Sequence, residues 1–319
     1  MVGKHPAHPI MPADATGIAA AAVRLRDGGL VALPTETVYG LAARADSSDA
    51  VAAIFPAKGR PDFNPLIVHV PDLAAAEAIA HLDDRSRALA AQFWPGALTM
   101  VLPLRSDARI ASAVTAGLPT IALRCPAHPV MRAVLTASAL PLAAPSANRS
   151  GGVSPTRAEH VVASLGASAG LVLDGGPCSA GIESTIVALR DIAGGGGWQI
   201  LRHGPVTSAA IEQLFGTSPD AVDESRIEAP GQLTSHYAPG KPLRLAAEQA
   251  AGGEFLIGFG DVAGDVSLSP AGDLAEAAAR LYDCLHRAAA APQPRIAIAP
   301  IPGEGIGAAI NDRLRRAAA

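Results

Sequence analysis

The sequence predicts an α/β protein built as two domains. Helical and strand-like segments alternate along the chain, one aperiodic polar stretch interrupts the alternation, and 319 residues exceed the ~250–300 at which a single core stops growing.

The elements follow in order. Residues 15–27 read as an alanine-rich helix closed by Gly28 and Gly29, and LVALPT after it reads as a buried strand. A helix from about Ser48 to Phe55 leads to the strand PLIVHV at 65–70; helical stretches cross 73–93, and strands are expected at 97–104 and 120–125. A helix after Pro129, a strand at 141–145, a helix around 156–165 and the short strands LVLDG, STIVALR and WQILRH complete a first domain over 12–215. Residues 216–241 lack periodicity and are rich in Pro, Gly, Ser and acidic residues, which makes them a linker, expected also to close as a lid because SHYAPGKP is too particular a motif for a passive tether. The second domain, 242–319, carries the strands PLRLA, EFLIGF and RIAIAPI, a helix over 273–289 with Asp273 as N-cap, and a last helix from about Gly307. A small, mostly parallel sheet is expected there.

Composition excludes several classes. Hydrophobic residues are 49% and charged residues 17%, a globular balance, and no apolar run approaches the ~20 residues of a membrane span. The opening MVGKHPAHPIMPAD lacks the continuous apolar core of a signal peptide, and its first ten residues read as a flexible tail. Cys125, Cys178 and Cys284 are odd in number and fall in no ligand spacing, so neither a disulfide framework nor a zinc site is expected and a reducing cytoplasm fits. A net charge of −4 without a basic run argues against tight autonomous RNA binding, because counterion release would contribute little.

Four segments carry candidate chemistry. PTETVYGLAARA at 34–45 puts Thr35 and Thr37 directly after a buried strand, the end at which open α/β sheets bind ligands. In FPAKGRPDFNPLIVHV at 55–70, Lys58 and Arg60 flank a glycine in a proline-bounded loop suited to polyphosphate, with Asn64 and His69 close behind. Lys58 stands out because only three of the 25 basic residues are lysines, the others being Lys4 and Lys241. His69 taken alone reads as a hydrogen-bonded strand histidine. APSANRSGGVSPT at 144–156 concentrates Ser146, Asn148, Ser150, Ser154 and Thr156 around two glycines after a strand, a composition that wraps anionic oxygens without the Walker spacing. GIESTIVALR and LRHGPVT add Ser184 and Arg202, and Arg124 at a strand end could clamp a carboxylate with both arms of its fork. PGEGIGAAINDRL at 302–314 lacks the dinucleotide fingerprint and reads as tight helix packing. No Ser/His/Asp order, HExxH or paired-carboxylate motif is present, so the residues by themselves describe a protein that binds a phosphate-bearing ligand and an anionic small molecule.

PTETVYGL, KGRPxxNPLIVH, PSANxSGxxSPT, GIESTIV, LRxGxVT and SHYAPGKP, in this order, resemble the long, two-domain threonylcarbamoyl-AMP synthases of the YrdC-like family, from about residue 12 to the end. The resemblance implies a twisted mixed α/β sheet around a concave cavity, followed by a small Rossmann-like C-terminal domain. It further implies that L-threonine, bicarbonate and ATP, the last with Mg²⁺, are condensed to threonylcarbamoyl-AMP and pyrophosphate. The product would pass to a TsaD-type transferase that modifies tRNA. Position by position, Lys58, Arg60, Ser146 and Asn148 match the family's nucleotide-handling signature; Asn64, Thr120, Ser154, Arg202 and Tyr237 match further ATP positions; Thr35, His69, Arg124, Ser184 and the backbone at Ala144 match positions for threonine. The chain departs from the usual pattern at Pro56, Ala188 and His203.

Two other readings are open at this stage. A non-catalytic RNA-binding module would use the same concave face, against which stand the net charge and only 3% aromatic residues. A carbamoyl-adenylate step in metal-cofactor maturation uses the same fold within larger proteins, but with cysteine-rich motifs that this sequence lacks.

Overall fold

The computed structural model describes residues 10–61, 64–190, 196–221, 228–230 and 236–319. Among these, the first sheet contains β1 (Ile10–Pro12), β2 (Val31–Leu33), β3 (Gly40–Arg44), β4 (Ile67–His69), β5 (Leu98–Pro103), β6 (Thr120–Arg124), β7 (Leu142–Ala143), β8 (Leu171–Asp174), β9 (Thr185–Arg190) and β10 (Gly197–Arg202). Their order is β1-β8-β2-β3-β7-β4-β6-β5-β9-β10, with parallel and antiparallel neighbours mixed. The second sheet, β11 (Leu243–Arg244), β12 (Glu254–Gly258), β13 (Val266–Ser267) and β14 (Arg295–Ile298), is ordered β11-β14-β12-β13 and wholly parallel.

Side-chain alternation decides what the first sheet does with its two faces. Leu66 and Val68 of the β4 segment, Met100 of β5 and Leu123 of β6 enter one large core with Ile54, Leu89 and Trp198. The intervening residues Ile67, Val101 and Ala122 face the other way and meet Ile186, Ala188 and Leu201 in a small apolar floor. Because strand side chains alternate with period 2, His69 and Arg124, two residues beyond Ile67 and Ala122, share that second face. They are also direct partners in the parallel register of β4 and β6.

The expected elements differ from the observed ones mainly where the chain turns sharply. The stretch 73–93 is two helices, Leu73–Glu77 and Asp84–Phe93, each capped by an aspartate, Asp72 and Asp83, that accepts from a backbone N–H. β3 follows the PTETVYG turn and pairs antiparallel with β2, which the absence of a clean alternating pattern in GLAAR had hidden. β1, of which only Ile10 falls within the expected tail, joins the sheet edge beside β8, and β13 is a fourth strand of the second sheet. Asp273 does cap the helix Leu274–Ala290, its carboxylate accepting from Glu276 N at 2.7 Å. At the start of the helix Ile306–Ala318, a Cβ on Gly307 would lie 2.0 Å from Pro302 O, so the glycine permits the tight packing that the PGEGIG stretch implied. Of the expected linker 216–241, residues 222–227 and 231–235 lie outside the described ones. No helix among the described residues is long and apolar enough to cross a membrane.

Candidate active site

One cavity opens on the second face of the first sheet. It is lined by residues that include Thr35, Thr37, Arg60, His69, Arg124, Ala144, Ser146, Glu183, Ser184, Arg202, Pro230, His236 and Tyr237. A larger groove of about 530 Å³ runs beside Val70, Ala75, Ile79 and Leu140, but its lining is mostly apolar with three charged residues at its margin, Asp46, Asp107 and Arg109. Convergent polar groups, not size, single out the first.

At one end, Arg124 is 3% exposed and its guanidinium is held on three sides. Nε donates to Gly96 O at 3.1 Å, Nη1 to Thr37 Oγ1 at 2.8 Å and Nη2 to Glu36 Oε1 at 2.7 Å. Glu36 Oε2 in turn accepts from the backbone N–H groups of Ala127 and His128. Burial works to raise the Glu36 pKa, but the Arg124 charge and hydrogen bond outweigh it and the carboxyl stays below its usual range. Thr35 folds the PTET turn on itself: its hydroxyl donates to Val38 O at 2.7 Å and accepts from the N–H groups of Thr37 and Val38. His69 is buried with no hydrogen-bond partner on Nδ1. Burial, aided by the Arg124 charge and opposed by Glu36, lowers its pKa to about 3, so the ring is a neutral imidazole with an open nitrogen.

The opposite end is cationic. Arg202 Nε donates to Ser184 O at 3.0 Å, Nη2 to Ser184 Oγ at 3.1 Å and Nη1 to Pro230 O at 3.3 Å. Ser184 Oγ also pairs with Thr99 Oγ1 at 2.7 Å. Arg60 Nη2 reaches Asn64 O and Pro65 O, and its buried Nε has no partner. Burial, with the neighbouring Arg202 charge, lowers the Arg60 pKa to about 10, a penalty that a bound anion would relieve. Tyr237, 1% exposed and in the left-handed backbone region at φ 67°, closes this end beside His236.

Of the residues matched to the family, Thr35, His69, Arg124, Ala144, Ser184, Arg60, Ser146, Arg202 and Tyr237 therefore meet around one space. Five do not line it. Lys58 is spent on backbone: its ammonium, 2% exposed, donates to the carbonyls of Ser146 and Asn148 and so braces the 146–152 loop. Asn148 Nδ2 donates to Arg149 O and Gly152 O within that loop. Ser154 Oγ donates to Glu183 Oε1 at 2.6 Å. Asn64 supplies a carbonyl to Arg60, and its buried Oδ1 is unpartnered. Thr120 lies four residues before Arg124 on β6, about 13 Å along the strand.

Sequence reading passed over two carboxylates. Glu36 and Glu183 stand inside the quoted motifs PTETVYGL and GIESTIV, where a charge beside an apolar strand was the available signal. Glu183 lines the cavity, yet its oxygens are taken by Ser154, Tyr282 and Arg313. Burial raises its pKa, but the charges of Arg313 and Arg202 hold it down at about 2. Among the described residues no cluster of His, Cys, Asp or Glu is arranged to hold a metal, and the engagement of Glu183 leaves the cavity's lining carboxylate with no oxygen to spare.

Fold and site together define an α/β protein with a cavity lined by the guanidinium groups of Arg124, Arg60 and Arg202, donors of a kind suited to anionic oxygen. Family models match both halves of the chain: the Sua5/YciO/YrdC model, described as telomere recombination, over residues 23–204, and one described as the C-terminal domain of threonylcarbamoyl-AMP synthase over 206–319. The chain belongs to the Sua5/YciO/YrdC family. It is similar to the threonylcarbamoyl-AMP synthase of Bacillus subtilis, with 39% identity over 94% of this chain and 92% of that protein. It also resembles the enzyme of the same name from Pyrococcus abyssi, with 41% identity over 67% of this chain and 63% of that one. The crystal structure of P. abyssi Sua5 complexed with L-threonine superimposes with a TM-score of 0.85 at 33% identity, covering 94% of both chains.

Proposed function

We propose that this chain condenses L-threonine, bicarbonate and ATP into threonylcarbamoyl-AMP and pyrophosphate, the activated intermediate for threonylcarbamoyladenosine in tRNA. The observation that carries the reading is the pairing of two groups of anion-suited side chains in one cavity, Arg124 with Thr35 and His69 in one and Arg60 with Arg202, Ser146 and Tyr237 in the other, with Ser184 held against Arg202. The names of the related proteins supply the chemistry that such a pairing would serve.

Arg124 receives the threonine carboxylate, its fork already aligned by Gly96, Thr37 and Glu36. The neutral His69 nitrogen and the Ser184 hydroxyl hydrogen-bond the remainder of the amino acid. The threonine amine, having lost a proton to solvent, attacks carbon dioxide formed from bicarbonate. A carbamate oxygen then attacks the α-phosphorus, the bond to the bridging oxygen breaks, and pyrophosphate leaves. Arg60 and Arg202 face the charge that develops on the phosphates in a water-poor space, where preorganised donors act most strongly. No protein nucleophile is required; catalysis is by positioning and charge neutralisation. Mg²⁺ enters on the triphosphate as part of the substrate. The activity is placed in the cytoplasm, with the product handed to a TsaD-type transferase and little direct contact with tRNA.

Pyrophosphate release measured with each substrate omitted tests the reading. Release that requires both threonine and bicarbonate is expected. Release indifferent to threonine, or tRNA binding without any turnover, would overturn it.

A further inference from the structure

The second sheet's half of the molecule reaches the cavity wall through the side chains of Arg313 and Tyr282. Arg313 lies in the middle of the helix Ile306–Ala318 and is 0% exposed. Its Nε donates to Glu183 Oε2 at 2.9 Å, Nη1 to Asp312 Oδ2 at 2.6 Å and Nη2 to the carbonyl of His203 at 2.8 Å. Its guanidinium carbon stands 5.3 Å from the centre of the Tyr237 ring, which stacks on Tyr282 at 5.6 Å. The Tyr282 hydroxyl donates to Glu183 Oε2 at 2.7 Å.

Glu183, Arg202 and Tyr237 all line the cavity, and His203 is the residue after Arg202. A single guanidinium thus joins three wall segments that are far apart in sequence. A buried ion pair is a weak source of net stability, because desolvation of both charges offsets their attraction. Its consequence here is geometric: Nε and Nη2 of a planar, rigid fork each meet a different wall segment and its face lies over Tyr237, while Nη1 is held by Asp312 on the same helix, so neither bonded segment can shift without leaving a buried charge poorly paired.

We propose that Arg313 is a positioning residue for the nucleotide pole of the cavity, setting Glu183, the backbone beside Arg202 and the Tyr237 ring from the second sheet's half of the chain. The proposal rests on the functional reading only in assigning that pole to ATP. It gives the C-terminal helix a direct part in the site, through its side chain and not through substrate contact.

The test uses the full chain as Arg313→Met, as Glu183→Gln and as the double variant, with thermal unfolding and circular dichroism alongside. Binding isotherms are recorded for α,β-methylene-ATP, which cannot release pyrophosphate, and for L-threonine. Arg313→Met should weaken the nucleotide analogue at least tenfold and threonine less than threefold. The double variant removes both charges of the Arg313–Glu183 pair and leaves neither facing its partner alone, so it should melt closer to the native chain than Arg313→Met does while its nucleotide affinity stays reduced. Equal losses for the two ligands in folded protein, or native nucleotide affinity in the double variant, would overturn the proposal, since Arg313 would then serve only the fold or the charge balance. Native protein that binds the analogue but shows no threonine-dependent turnover would overturn the functional reading and not this one.

Discussion

Replacing Arg124 by lysine separates the two poles of the cavity most cleanly. Lysine keeps a positive charge that can still meet Glu36, now at 2.7 Å from Nη2, but it has no planar fork to satisfy Gly96 O and Thr37 Oγ1 at once. The lost element for a bound carboxylate is one arm of a bidentate contact, a charge-assisted hydrogen bond worth about 1.5–3 kcal/mol. At about 1.4 kcal/mol per tenfold change, threonine affinity should fall roughly 10- to 150-fold. Arg60 and Arg202 at the other pole do not contact Arg124, so ATP affinity should change less than about threefold. Separate calorimetric titrations with threonine and with α,β-methylene-ATP give both numbers. Loss of ATP affinity with threonine affinity intact would mean that Arg124 serves the other ligand.

Further outcomes follow from the same geometry. Lys58→Met removes the ammonium that braces the carbonyls of Ser146 and Asn148 while keeping the side chain's bulk, so turnover should fall at least tenfold and the melting temperature should drop; normal turnover would show the brace to be dispensable. For His69, the folded pKa of about 3 lies below its ordinary 6.5, so the unfolded chain binds the extra proton between those values and stability must fall as pH drops from 6.5 toward 3, by up to about 1.4 kcal/mol per pH unit. Urea unfolding between pH 7 and pH 5 should show that slope, and His69→Gln should reduce it; an unchanged slope would mean that His69 is not buried neutral. The space among the cavity's lining residues is only about 50 Å³, against the ~300–1000 Å³ of ligand pockets, so the lining must open to admit a nucleotide. Proteolysis within residues 225–240 should therefore slow when ATP and threonine are both present, and a cleavage rate indifferent to ligands would contradict a lid.

What the sequence by itself determined is the part of the site that strand geometry and local motifs encode. The strand PLIVHV carries Leu66 and Val68 into the core, and period 2 then sends Ile67 and His69 to the cavity face. Arg124 follows by the same alternation on β6, Thr35 and Ser146 follow from their places just beyond strands, and Ser184 from its place just before one. The direction of Lys58 was not legible there, because a lysine in a KGR loop can meet a phosphate or a backbone carbonyl equally well, and only the fold of the 146–152 loop decides between them. The same holds for Glu183: within GIESTIV it has no charged neighbour, and its partner Arg313 stands 130 residues away on a helix of the second half. Periodicity reports which face a residue occupies, whereas an ion pair across packed segments depends on where two distant backbones come to rest, and only the tertiary structure fixes that.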